Sequence, residues 1–220
     1  MAEEDKDPVT GIPKYDLATA RGHACKAVFS TVMVMVVFQL IGAGIACAIY
    51  FWGDTENYNM RLEAGKKNDM CWPAFSVVVF AFTVVYLNIF PMFYKEQFMK
   101  GGNFRANQFV YRQATSPDGS DSSAVILYDT GIIGNYNRGN RSIGHFLENC
   151  LPIIVTLPIG FTFFPFPTAM CFCVYALGRI IYQVGYTAIG FGAHFPGFLM
   201  DRFTTFTMVA LCFIAFIKMM

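Results

Sequence analysis

The sequence predicts an all-α membrane protein, a polytopic bundle of five transmembrane helices without a sizeable soluble domain. Hydrophobic residues make up 55% of its 220 residues and charged residues only 14%. The hydrophobic residues are gathered in long uncharged runs, and a helix of about 20 apolar residues crosses the ~30 Å hydrocarbon core of a bilayer. A lipid bilayer is therefore the natural solvent of this chain.

The first two spans are the uncharged runs of residues 27–52 and 73–94. The first run is long enough to cross the bilayer with a tilt. It follows an acidic N-terminus and exceeds the apolar core of a cleavable signal, so we expect no secretory signal peptide. The second run begins with a proline, which the first turn of a helix favours, and ends at Lys95 and Glu96.

The remaining spans are arranged around a pair of prolines. Pro165 and Pro167 lie in the middle of a long uncharged run. Two prolines so close together interrupt helical hydrogen bonding and favour extended backbone. We therefore expect a tight hairpin between the third helix and a fourth helix over residues 168–190. The fifth span covers about residues 202–220, where ~16 apolar residues reach only ~24 Å.

Lysines and arginines are distributed unequally between the two sides of the membrane. If five helices alternate in direction, eleven lysines and arginines lie on the side of the N-terminus. The other side receives Arg61, Lys66, Lys67 and Lys218. The positive-inside rule then places the N-terminus and the loop of residues 95–141 in the cytosol, or in the equivalent matrix or stroma. The net charge of +1 gives no electrostatic reason to expect a nucleic acid as partner.

Two short β-prone runs, residues 108–112 and 124–128, flank a cluster of polar turn residues in that loop. They either pair with each other or lie on the membrane surface. Periodicity alone leaves both possibilities open.

Ionisable side chains inside membrane spans are costly and point to a functional site. Two polar stripes have the spacing of one helical face. The third helix presents Arg141, His145 and Glu148, and the fourth helix presents Arg179, Tyr182 and Tyr186. Facing each other, the stripes would form an anion-binding site. The alternative is an intramembrane ion pair between Glu148 and Arg179 that only holds the bundle together.

Other candidate ligands are sparse. His145 and Glu148 form a His-x-x-Glu pair, but no second helix offers the matching ligands of a di-metal site, so we expect no metal. The seven cysteines form no CxxC pair and are expected to be small buried thiols. His194 has no partner nearby in the sequence. Four glycines allow close approach of helices, at positions 42, 44, 178 and 185.

The polar stripes belong to two longer motifs. The first is Asn137-x-x-x-Arg141-x-x-x-x-x-x-Glu148-x-x-x-Pro152. The second is Gly178-Arg179-x-x-Tyr182-x-x-Gly185-Tyr186. In this order they resemble the motifs of the membrane-associated proteins in eicosanoid and glutathione metabolism, the MAPEG family, and particularly its microsomal glutathione transferase 3 branch. The resemblance covers about residues 73–217.

The resemblance implies a four-helix unit over residues 73–220 that assembles as a homotrimer. Glutathione would bind between neighbouring subunits near the cytosolic surface, and bound lipids would surround the bundle. The positions that match the family's glutathione site are Arg141, His145, Glu148, Arg179, Tyr182 and Tyr186. The acidic tail of residues 1–26, the extra transmembrane helix of residues 27–52 and the enlarged loop of residues 95–141 are additions to the family plan.

The chain departs from the family pattern at three places. His145 stands where the family usually has asparagine, and Asn149 stands where the leukotriene synthase branch has tyrosine. The arginine that active synthases use to stabilise the glutathione thiolate has no counterpart in residues 187–197. His194 could replace it only if the fold brings it to the site.

Two functions follow as hypotheses. The first is a glutathione-dependent transferase or peroxidase acting on lipophilic electrophiles or lipid hydroperoxides, in the endoplasmic reticulum or a mitochondrial membrane. The second is a non-catalytic accessory subunit of a large membrane complex, such as a respiratory or ATP-synthase assembly of the inner mitochondrial membrane, or a photosynthetic complex. A transporter would need more intramembrane polar groups and an internal repeat.

Overall fold

The computed structural model describes residues 17–98, 109–115 and 121–220. In these residues the chain forms seven α-helices and one β-hairpin. The helices are α1 (Leu17–Trp52), α2 (Thr55–Lys67), α3 (Cys71–Lys95), α4 (Gly131–Asn149), α5 (Leu151–Phe163), α6 (Pro165–Ala188) and α7 (Phe195–Met219), and the strands are β1 (Tyr111–Thr115) and β2 (Asp121–Leu127).

Four helices are long and apolar enough to cross a membrane: α1, α3, α6 and α7. Helices α4 and α5 meet at an angle of 45°, and together they pass the same test as one bent span. The predicted all-α membrane bundle is therefore confirmed. Counting the bent pair as one span gives the five crossings expected from the sequence.

Helix α1 begins at Leu17, ten residues before the predicted start of the first span. Its 36 residues extend for about 54 Å, which exceeds the hydrocarbon core. It packs along α3, where the Thr31 hydroxyl donates to Met92 Sδ at 3.6 Å. Of the side chains described in α1, only Ala24 is buried. A helix that is hydrophobic all round and uncovered is suited to lipid on most of its faces.

Helix α2 was not predicted from the sequence. Its sequence nevertheless contains helix signals. Asp54 at the N-cap accepts a hydrogen bond from the Asn57 amide at 3.2 Å, and Glu56 lies in the first turn while Lys66 and Lys67 lie in the last. These charges complement the helix dipole. With 13 mostly polar residues and none of them buried, α2 is a surface helix between the first two spans.

The loop expected over residues 95–141 is shorter than predicted, since α4 begins at Gly131. Of the two possibilities for its β-prone runs, pairing is correct: β1 and β2 are antiparallel, with Tyr111 opposite Leu127. Asn137 fixes this hairpin on α4. Its side-chain amide donates to the carbonyl oxygens of Val110 at 2.7 Å and Tyr128 at 2.6 Å, and its oxygen accepts from the Val110 amide at 3.0 Å.

The predicted hairpin is confirmed in its place, but Pro165 and Pro167 lie in the first turn of α6 rather than in extended backbone, so this helix begins three residues before the predicted residue 168. Helix α5 ends at Phe163 and α6 begins at Pro165, so one residue separates two spans. Beside this turn, the ring of Phe166 lies 4.8 Å from that of Trp72 at the start of α3. Helix α7 begins at Phe195, seven residues earlier than predicted, and its 25 residues reach about 37 Å. The last span is therefore long enough to cross the full hydrocarbon core.

The apolar core lies between α3, α4, α5, α6 and α7. Its buried members are Leu87, Phe146, Ile153, Phe172, Tyr175 and Met208. The expectation that cysteines are buried is wrong: Cys25, Cys47 and Cys71 are exposed and the other four are partly exposed, all as free thiols. In a membrane an outward face meets lipid rather than water, so an apolar thiol needs no cover there.

Two of the four predicted glycine contacts occur within the chain. A Cβ atom on Gly178 would lie 2.8 Å from Met200 Cβ, and one on Gly185 would lie 2.3 Å from the Ala193 carbonyl oxygen. These glycines let α6 pack closely against α7 and the turn before it. Gly42 and Gly44 on α1 have nothing within 4 Å of such an atom.

Candidate functional site

The two polar stripes meet where α4 packs against α6. The imidazole of His145 stacks on the ring of Tyr182, with centroids 5.0 Å apart and an interplanar angle of 7°. Tyr182 in turn contacts Tyr186, one turn further along α6, at 5.9 Å. Three of the six predicted site residues therefore form one continuous aromatic wall.

Arg179 is fully buried and pairs with a residue that the sequence analysis did not select. Its Nη1 donates to Asp201 Oδ2 on α7 at 3.1 Å, and neither side chain is exposed. The predicted ion pair between Glu148 and Arg179 is therefore wrong. Glu148 lies on the exposed side of α4, whereas Asp201 lies on the helix that packs directly against α6.

The guanidinium of Arg179 is enclosed on all sides. Nη2 donates to the Ser142 carbonyl oxygen at 3.1 Å, and Nη1 lies 3.2 Å from His145 Nδ1. Its central carbon is 4.6 Å from the ring centroid of Tyr182 and 5.4 Å from that of Phe146. Cation–π contacts of this kind are strongest where the cation is desolvated. Arg179 thus joins α4, α6 and α7 at one point.

Asp201 has two cationic partners. Besides Arg179, it accepts a hydrogen bond from Arg202 Nη2 at 3.2 Å, and the Thr205 hydroxyl approaches Oδ1 at 3.4 Å. The sequence analysis missed Asp201 because the last helix was expected to begin at residue 202. The signal was available: an acidic residue within an apolar segment needs a buried partner.

His194 belongs to the aromatic wall, although the sequence offered no neighbour for it. Its ring lies 4.9 Å from Tyr182, 5.3 Å from Tyr186 and 5.4 Å from Phe191. The turn between α6 and α7 places it there. Gly190, at φ +111°, and another glycine two residues later adopt backbone angles that side chains disfavour, and they fold the chain back over α6.

Arg138 fixes the end of α6 beneath this wall. Its Nε donates to the carbonyl oxygens of Tyr186 at 3.1 Å and Thr187 at 3.3 Å, and its Nη1 donates to that of Asp129 at 2.7 Å. A cation at the C-terminus of a helix satisfies terminal carbonyl groups and complements the dipole. Sequence analysis did not select Arg138, which lies inside the first motif.

Arg141 and Glu148 lie at the open side of the site, and both are exposed. Arg141 is near enough to Tyr182 to interact electrostatically with its phenol, and Glu148 is similarly near His145. A charge exposed inside a bilayer is costly, so this face favours a polar ligand or a second polypeptide as cover.

An apolar groove runs between α3 and α6 on the outer surface. Its volume is about 550 Å³, and its lining includes Val78, Phe82, Tyr86, Cys173, Leu177 and Ile180. Ile180 lies in the same helical turn as Arg179 and Tyr182. The groove faces the bilayer and can accommodate an acyl chain or another apolar molecule.

Within residues 17–98, 109–115 and 121–220, no group of three or more His, Cys, Asp or Glu side chains is arranged to hold a metal ion. Besides the carboxylates of Glu148 and Asp201, the polar groups of the site are cations, phenols and imidazoles. Such groups bind anions and stabilise them by charge-assisted hydrogen bonds.

Comparison with known proteins identifies the region that contains this site. The sequence model of the MAPEG family matches residues 74–217, which include α4, α5, α6, most of α3 and α7, and both polar stripes. No curated protein and no solved structure gives a significant match.

Proposed function

Since this chain belongs to the MAPEG family, we propose that it binds glutathione and uses the thiol against lipophilic electrophiles or lipid hydroperoxides. Its motif spacing resembles that of the microsomal glutathione transferase 3 branch, and we propose that subtype. The observation that supports the proposal most directly is the aromatic wall of His145, Tyr182, Tyr186 and His194, with the exposed charges of Arg141 and Glu148 beside it.

The charges at the open face match those of glutathione. The tripeptide has two carboxylates and one ammonium group. Arg141 can pair with a carboxylate, and Glu148 can pair with the ammonium group, while the aromatic wall covers the peptide backbone. Both charges lie on α4, and glutathione would replace lipid or water around them.

The reacting group is the thiolate of glutathione. Its sulfur forms the new bond to the electrophilic carbon, and the leaving group departs with the bonding electron pair. A thiol loses its proton more readily beside a cation. Arg179 already has Asp201 as its counter-ion, so Arg141 and the imidazole of His194 are the groups we assign to thiolate stabilisation.

The second substrate would approach from the membrane. The groove between α3 and α6 lies on the outer surface, and one of its lining residues, Ile180, is in the same helical turn as Arg179 and Tyr182, so we propose that an apolar electrophile is held there next to α6. As in the family, we propose a homotrimer in the endoplasmic reticulum or a mitochondrial membrane. A neighbouring subunit would then cover the exposed face of α4.

The test is glutathione binding by the protein in lipid nanodiscs, measured by calorimetry. Removing one charged hydrogen bond costs about 1.5–3 kcal/mol, so Arg141→Ala and Glu148→Gln should each weaken binding about tenfold to a hundredfold. Arg61→Ala is the matched control, since Arg61 is also exposed but lies on α2. Equal affinities for all four proteins would refute the proposed site.

The second candidate function is a non-catalytic accessory subunit of a large membrane complex. The observation that favours it is the burial of Arg179, which the family resemblance assigns to the ligand but which here pairs with Asp201. A polar stripe used in this way holds the bundle together. This function predicts that the chain purifies only with other subunits and shows no turnover with glutathione.

A further inference from the structure

The contact between Arg179 and His145 determines which imidazole nitrogen carries the proton. Arg179 Nη1 lies 3.2 Å from His145 Nδ1. A guanidinium has donors only, so Nδ1 must offer its lone pair to make this hydrogen bond. The ring is then neutral, and its proton is on Nε2.

Arg179 is held firmly enough to impose this state. The same Nη1 has a second hydrogen, which it donates to Asp201 Oδ2 at 3.1 Å, and Nη2 donates to the Ser142 carbonyl oxygen at 3.1 Å. Because Arg179 and Asp201 are both fully buried, water does not compete for these bonds. Asp201 is fixed in turn by Arg202, which donates to the same oxygen at 3.2 Å.

The charges around His145 support the neutral form. Two cations, Arg179 on α6 and Arg202 on α7, oppose a positive charge on the ring, whereas Asp201 on α7 and Glu148 on α4 favour it. Asp201, however, is already engaged by both arginines. Glu148 is exposed, so solvent or a ligand weakens its effect on the ring.

We propose that Asp201 is a positioning residue of the site: through Arg179 it holds His145 in the neutral form that donates from Nε2. This inference rests on the proposed function and specifies what the ligand meets. His145 is only partly buried, and a neutral ring with a fixed Nε2–H acts as a permanent donor to a carboxylate or thiolate.

The state of the ring is measured by NMR on protein labelled with 15N in its imidazoles and reconstituted in nanodiscs. The chain has three histidines, so the signal of His145 is identified by its loss in His145→Gln. Near neutral pH we expect a neutral ring protonated on Nε2. An imidazolium, or a ring protonated on Nδ1, would overturn the proposal.

The role of Asp201 is tested in the double variant Arg179→Gln, Asp201→Asn. This variant removes both charges together and so avoids an unpaired buried charge. We expect His145 to lose its single state and to show both neutral forms or protonation on mild acidification. A ring that stays neutral and protonated on Nε2 would show that the Arg179–Asp201 pair contributes to the packing only.

The donor itself is tested by glutathione affinity in two variants of His145. His145→Gln keeps an N–H group near the position of Nε2, and His145→Phe keeps the ring that stacks on Tyr182. We expect the glutamine variant to bind within about threefold of the parent and the phenylalanine variant to lose about tenfold to a hundredfold. Equal losses would overturn the donor role. If the parent binds no glutathione, the proposed function fails, and the NMR measurement still decides the state of the ring.

Discussion

Replacing Gly197 with alanine tests the close crossing of α6 and α7 next to the buried ion pair. A Cβ atom on Gly197 would lie 2.4 Å from the Gly178 carbonyl oxygen and 2.4 Å from the Tyr182 amide nitrogen. Both are backbone atoms, so a side-chain rotation cannot relieve the overlap. Ordinary contact begins near 3.4 Å, and the two helices must therefore separate by about 1 Å.

The expected cost follows from this separation. Overpacking a tight contact costs about 1–3 kcal/mol, and two backbone overlaps put this site at the upper end of that range. The better helix propensity of alanine returns up to about 1 kcal/mol. We expect a net loss of about 2 kcal/mol in the free energy of unfolding. The Arg179–Asp201 bond, now 3.1 Å, should lengthen as the helices move apart.

The assay is thermal unfolding in detergent, followed by the loss of the circular dichroism signal of the helices. Gly44→Ala is the matched control, because its Cβ would have nothing within 4 Å. The control should unfold at the parent temperature or slightly above it, and Gly197→Ala clearly below it. Equal midpoints for Gly197→Ala and the parent would refute the close crossing.

Three further predictions address other parts of the fold. Asp201→Ala leaves Arg179 buried without a counter-ion, so it should lower the free energy of unfolding by about 3–5 kcal/mol in the same assay. A loss below about 1 kcal/mol would contradict the buried pair. Asn137→Ala should speed hydrogen exchange in the β-hairpin but not in α6, and unchanged exchange would show that other contacts hold the hairpin. Single-cysteine variants that retain Cys25 or Cys71 should react with a membrane-impermeant maleimide from opposite sides of sealed vesicles. Labelling of both variants from the same side would show that α1 does not span the membrane.

Hydrophobic runs and prolines were sufficient to predict the membrane bundle. A span needs only length and low polarity, both of which are local properties of the sequence. The hairpin at Pro165 was predicted for the same reason, since a proline acts on its own backbone. The ends of α1 and α7 were misplaced because charged residues such as Arg202 were taken as helix boundaries, although a charge paired inside the bundle can lie within a helix.

The candidate site was predicted only in part. Spacing alone placed Tyr182 and Tyr186 on one face of the fourth helix, and it placed His145 on the polar face of the third helix. Which acidic residue pairs with Arg179 depends on which helices are neighbours, and the tertiary fold determines that. Asp201 rather than Glu148 pairs with Arg179 because α7 packs against α6 there, and no local pattern contains that information.

The central claim is that the open face of α4 and the aromatic wall beside it bind glutathione in a protein of the MAPEG family. The most direct measurement is native mass spectrometry of the protein extracted from its membrane in mild detergent, with and without glutathione. The account predicts a homotrimer that gains glutathione, and an Arg141→Ala trimer that does not at the same concentration. A chain that appears only within a much larger assembly and gains no glutathione would contradict it.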